Sequence, residues 1–246
     1  MRRDRQVAAG DQLQAGSRGQ AVDLGAALER AASDPGVRAI VLAANGTVFS
    51  SGHDFSDMVD RDLDGMRRLL RVCADVMLGL ARLPVPVVAR VQGIATAAGC
   101  QLVASCDLAV AVDEASFATP GGKGGWFCHT PLVAVARAIG ARRALELGLT
   151  GDSIDARTAL AWGLVNRVVP AGTERDQAIA LAQQVARKSA YTVKLGKEAF
   201  YRQAEMSPAD AYRYAAEVMT ENMMARDAEE GIGAFIEKRA PTWRDE

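Results

Sequence analysis

Two stretches of small residues, Ser50-Ser-Gly-His-Asp54 and Ala95-Thr-Ala-Ala-Gly99, are each entered from a β-type run and followed by a helical pattern. Small side chains let a ligand approach the main chain closely. Two backbone N–H groups from such loops, one of them at a helix N-terminus, could converge on a carbonyl oxygen and stabilise the negative charge that develops on it. A tight turn is the bland alternative for either loop alone, and the pair together is more telling. Two reactive side chains follow further along. His129 lies just before a helix start and has an intrinsic pKa of about 6.5, suited to proton transfer; its alternative is a capping or partly exposed histidine. Cys128 would be a nucleophile only with a lowered pKa, and in the absence of a defined base a buried structural thiol is expected.

The elements that must position these groups alternate along the chain. Leu24 to Ala32 reads as a short helix, broken at Asp34-Pro-Gly36, and Val37 to Ala44 as a buried strand. Asn45 to Phe55 reads as a loop. Met66, Leu69, Leu70, Cys73, Met77 and Leu80 then recur at helical spacing and predict one buried stripe. Val87 to Val91, Asp107 to Val112, Ser116 to Ala118 and Leu164 to Val169 read as strands, with a buried helix over Cys100 to Ser105 and longer ones over Leu132 to Leu149 and Asp155 to Trp162. Thr173 and Ser207 sit where helix caps belong, and the last sixty or so residues are helical. Residues 1–22 show no period and are expected to be a poorly ordered lead-in. The expectation is one core over residues 23–188 and a helical region over 189–246.

Composition excludes several functions. With 29 Lys+Arg against 30 Asp+Glu, the net charge of -1 offers nothing to hold a polyanion, so nucleic acid is not an expected partner. The four cysteines form no C-x-x-C pair and the chain has two histidines, so no metal site is expected. No G-x-G-x-x-G follows a strand, and Gly121-Gly-Lys123 lacks the rest of a P-loop. Apolar runs such as Arg38 to Ala44 fall far short of the roughly 20 residues that cross a bilayer. No secretory leader is visible, and reduced thiols point to a soluble cytosolic protein without membrane partners.

The ordered motifs Phe49-Ser-Ser-Gly-His-Asp-Phe55, Val91-Gln-Gly-Ile-Ala-Thr-Ala-Ala-Gly-Cys100, Cys106-Asp-Leu-Ala-Val110, Ala115-Ser-Phe-Ala118, Leu149-Thr-Gly-Asp-Ser-Ile154, Gly163 to Pro170 and Gly231 to Arg239 resemble the enoyl-CoA hydratase/isomerase, or crotonase, superfamily. The resemblance implies an α/β fold, a ClpP-like spiral of β-β-α units, with C-terminal helices that assemble a homotrimer or a hexamer made of two trimers. It implies an acyl-CoA thioester as substrate or ligand, with no separate cofactor. Its carbonyl oxygen would be held by the backbone N–H groups of His53 and Ala98. Ser51, Gly52, Asp54 and Phe55 would border CoA near its adenine end, and Phe235 and Lys238 would reach it, from a neighbouring subunit where needed. Asp54 and Lys123 are expected to be solvated or to face CoA.

The departures from the family carry most of the functional information. Hydratases of this kind place two glutamates at positions that here hold Gln101 and Gly121. Glutamine can hydrogen-bond a water but cannot take its proton near neutral pH, and glycine has no side chain to offer. Weak or absent hydration is expected, in a protein otherwise of the fatty-acid and acyl-CoA type. The alternatives are a non-catalytic acyl-CoA-binding or assembly subunit, and an isomerase or thioesterase reaction using His129. The stretch Pro120 to Pro131 looks like that of one subgroup, whose chemistry the resemblance does not settle. The family's usual opening strand and Asn-Arg-Pro turn have no counterpart in residues 1–22.

Overall fold

In the computed structural model, which describes residues 18–246, successive strands are dealt alternately to two sheets. Strands β1 (Ile40–Ala43), β3 (Val87–Val91), β5 (Leu108–Val112) and β8 (Arg167–Val169) form a parallel sheet in the order β1-β3-β5-β8. Strands β2 (Val48–Ser50), β4 (Ile94–Thr96) and β6 (Ser116–Ala118) run parallel in a second sheet, closed by antiparallel β7 (Ile154–Asp155). Each β-β pair is followed by helix: α2 (Leu63–Arg82) after the first, α3 (Ala98–Ser105) after the second, α4 (His129–Ile139) and α5 (Ala141–Thr150) after the third. These are the expected β-β-α units, with α1 (Arg18–Ser33) packed on α2 and α6 (Ala156–Trp162) beside β7 and β8.

The first sheet is buried on both faces over its central part, so β1 and β5 read as continuous apolar runs. Ile40, Leu42, Val87, Ala89 and Val91 face the main core, while Val41, Val88 and Val110 face Ala178, Leu181 and Ala182 of α7 (Glu174–Ala186). Helices α8 (Ala190–Gln203), α9 (Pro208–Met223) and α10 (Arg226–Ile236) complete the C-terminal region. A buried ion pair ties α8 to the core. Lys197 Nζ donates to Asp107 (2.7 Å) and to the Leu80 and Val85 carbonyls. The same carboxylate accepts from the Val87 N–H and the Tyr201 hydroxyl.

Four expectations need correction. Helix α1 begins at Arg18, five residues before Asp23, so residues 18–22 are helical and not lead-in; the earlier part of the lead-in lies outside the described residues. Asn45 to Phe55 is not a loop throughout, nor is Ala95 to Gly99: β2 lies within the first and β4 runs into the second, each strand being three residues long and too short to show a period-2 pattern in the sequence. Leu132 to Leu149 is two helices, because Gly140 takes φ +83° and turns the chain between α4 and α5. Thr173 does not cap α7 with its side chain, since its hydroxyl donates to the Pro170 carbonyl instead; Ser207 does cap α9.

Candidate active site

Strands β2, β4 and β6 are parallel neighbours, so the segments leaving their C-terminal ends emerge on one side. These segments are Ser51–Phe55, Ala97–Gly99 and Thr119–Gly125. Ligands of open α/β sheets bind at that end. The first two segments touch main chain to main chain. Gly52 has φ +92°, and a Cβ on it would lie 2.9 Å from the Ala97 Cβ and 3.2 Å from the Ala98 nitrogen. A Cβ on Gly99 would lie 2.3 Å from the Ser50 carbonyl oxygen. The small residues of both loops are therefore a requirement of this approach, and the tight-turn alternative understates them.

Ala97 shows how the second loop is aimed. Its φ of 53° and ψ of -118° lie where non-glycine residues rarely sit, at a typical cost of about 1–3 kcal/mol. The conformation is held by hydrogen bonds on both sides, Ala97 N–H to the Ala118 carbonyl and Gln101 N–H to the Ala97 carbonyl. It starts α3 at Ala98, whose N–H is the first of the helix and so lacks a carbonyl partner within it. The neighbouring His53 N–H makes no backbone hydrogen bond among the described residues. Two main-chain donors, one with the α3 dipole behind it, thus stand on touching loops. The His53 ring is half-buried, and its pKa is lowered by loss of solvation, partly offset by the Asp57 carboxylate.

One turn into α3, Gln101 is 3% exposed. Its Oε1 receives a long contact from the Cys73 thiol, 4.0 Å. It lines a cavity of about 780 Å³ between α2, α3, α4 and α8, whose walls include Met77, Leu83, Ala104 and Val133. Gly121, as expected, offers no side chain, and its surroundings are close-packed. A Cβ there would meet the Cys128 Sγ at 2.9 Å, the Trp126 carbonyl oxygen at 2.9 Å and the Trp126 Cδ1 at 3.0 Å. The space beside the Gly121 Cα is therefore taken up by Cys128 and Trp126.

The remaining residues divide. Phe55 stands edge-on to Trp126, centroids 5.5 Å apart, joining the first loop to the third. Ser51 and Asp54 are exposed; the Asp54 carboxylate accepts from the Ser56 hydroxyl and N–H, which hold its pKa below the ordinary value. Cys128 is buried, accepts from the Gly121 N–H, and has its thiol pKa raised by burial, as a structural thiol would. His129 begins α4, exposed, with its ring against Phe127. Lys123 pairs with Asp152 at the surface. Phe235 and Lys238 are exposed on and just beyond α10. Sequence reasoning passed over Trp126 and Ala97. The run Gly121-Gly-Lys-Gly-Gly125 before a tryptophan was the available signal for the first, and nothing in the sequence marks the second.

Residues 14–246 match the profile of the enoyl-CoA hydratase/isomerase family. The chain belongs to that family. It is 46% identical over 213 residues, 86% of its length and 72% of the relative's, to enoyl-CoA hydratase domain-containing protein 3, mitochondrial, of Xenopus laevis. The solved human enoyl-CoA hydratase domain-containing protein 3 superposes with a TM-score of 0.88 at 40% identity, over 96% of this chain and 91% of that one. An enoyl-CoA hydratase from Mycobacterium smegmatis superposes with a TM-score of 0.92 at 43% identity, over 99% and 97%. The crotonase fold expected from the motifs is thereby the fold of the chain. The cytosolic expectation is corrected, because the similar frog, rat and human relatives are mitochondrial by name. Unpaired thiols report only a reducing environment, and that does not single out the cytosol. Among the described residues no helix is long and apolar enough to cross a membrane, and no group of three His, Cys, Asp or Glu could hold a metal ion.

Proposed function

We propose that this chain binds acyl-CoA thioesters, with the carbonyl oxygen between the His53 and Ala98 N–H groups, and hydrates enoyl-CoA weakly or not at all. The supporting observation is the pair of positions beyond those donors: Gln101 is a buried neutral amide, and Gly121 has no room for a side chain. Two donors at a thioester oxygen stabilise an enolate, each typically worth about 3–4 kcal/mol. That stabilisation speeds a reaction only if a base moves the proton, and an amide supplies none. The thioester is bound and polarised, and water beside it is left unactivated. Gln101 then acts as a hydrogen-bonding wall between the thioester and the apolar cavity. Phe235 and Lys238 contact CoA from a neighbouring subunit of a homotrimer or hexamer.

Calorimetric titration of the full chain with octanoyl-CoA, paired with an ultraviolet assay of crotonyl-CoA hydration, tests this. Micromolar binding with hydration at background is expected. Hydration at a conventional hydratase rate, or no heat from a folded sample, would each defeat the proposal.

A further inference from the structure

Gly121 and Gly124 share a neighbour that no family motif assigns. The chain reverses at Gly125, φ +91°, and lays the Trp126 indole back over the turn. A Cβ on Gly124 would lie 2.5 Å from Cζ3 and Cη2 of that ring, and one on Gly121 would lie 3.0 Å from its Cδ1. The indole therefore spans the turn from one glycine to the other. Its contact with Phe55 carries it across to the loop that bears His53. Both rings are open to solvent, Trp126 at 47% and Phe55 at 62%, so the pair presents apolar surface at the mouth of the site.

We propose that Trp126 is a specificity-determining residue of the thioester site: its indole occupies the volume of the missing carboxylate and gives the acyl group an apolar wall. The inference rests on the acyl-CoA reading above. A carboxylate at this wall would hold and orient water. An indole face gains instead from covering methylene groups and has no acceptor to align a water. The favoured ligands are thioesters with apolar acyl chains, over free CoA, and hydration is opposed from both sides of the thioester, by the amide at Gln101 and by the ring at Trp126.

The test is calorimetric titration of the wild type, Trp126→Ala and Trp126→Phe with octanoyl-CoA and with free CoA, together with melting curves of Gly124→Ala in the wild-type and Trp126→Ala backgrounds. Trp126→Ala should weaken octanoyl-CoA binding about tenfold while changing free CoA less than about twofold, and Trp126→Phe should fall between. Gly124→Ala should lower the Tm of the wild type by several degrees and that of the Trp126→Ala variant far less, because the three atoms nearest the added Cβ all belong to the ring. Unchanged octanoyl-CoA affinity in Trp126→Ala overturns the proposal, as does an equal loss for octanoyl-CoA and CoA. A folded wild type that binds free CoA but not octanoyl-CoA also overturns it. Absence of binding to either removes the acyl-CoA reading itself, and the Gly124–Trp126 coupling then shows that the ring's seat was not at fault.

Discussion

Helix α3 joins two regions that treat buried polarity in opposite ways. At its C-terminal end Asp107 is a carboxylate taken out of water, surrounded by Lys197, the Tyr201 hydroxyl and the Val87 N–H. Toward its N-terminal end, which the proposed function assigns to the thioester, the chain has a buried amide at Gln101 and, across from it, a crowded glycine at Gly121. A buried charge is tolerable when every partner is permanently present. The Asp107 cluster meets that condition, because its donors come from the sheet and from a packed helix. A ligand site does not, since its occupant comes and goes. On the proposed reading the donors there are the His53 and Ala98 main-chain N–H groups, and the buried side chain beside them, Gln101, is neutral.

The comparison can be broken most forcefully at the charged end. Lys197→Ala leaves Asp107 buried beside only neutral donors, and loss of one partner of such a pair typically costs about 3–5 kcal/mol. A correspondingly lower denaturant midpoint is expected; a change under about 1 kcal/mol would mean that the cluster is wetter than its geometry indicates. Gly52→Ala probes the other end. A Cβ at φ +92° is strained and is pushed against Ala97 and Ala98, so a loss of about 1–3 kcal/mol is expected, with acyl-CoA affinity falling more than in any variant of Ser51 or Asp54. Titration at a temperature where the variant is folded checks it, and unchanged affinity would separate the two loops from the thioester. The smallest effect belongs to His53. Its pKa is lowered in the folded chain, so the unfolded chain binds the proton more readily. The stability associated with the neutral ring is complete above about pH 6.5 and is lost as pH falls through the lower folded-state value. Melting temperatures should decline over that acid window and decline less in His53→Gln; identical slopes would show that the ring is solvated.

Apolar runs such as Ile40 to Ala43 were legible because a parallel strand buried on both faces writes itself as continuous hydrophobicity. Helix α2 was legible through its stripe of Leu69, Cys73 and Leu80. Strands β2 and β4 were not, for three residues carry no period, yet they are what bring the site loops together. The loops themselves stood out by residue size. What Gly121 meant did not, because a missing side chain and a filled space are the same letter.

The sequence by itself determined the family, the two loops of small residues and the absence of carboxylates at Gln101 and Gly121. These are statements about residue identity and order, and order along the chain is enough to make them. Tertiary structure alone decided that β2, β4 and β6 are neighbours, that Ala97 is bent to start α3 at Ala98, that Lys197 reaches back to Asp107 ninety residues earlier, and that Cys128 and Trp126 close on Gly121. Each of these depends on which atoms occupy a shared volume. Packing excludes a second occupant from that volume, and no spacing within one segment can report what another segment has brought there.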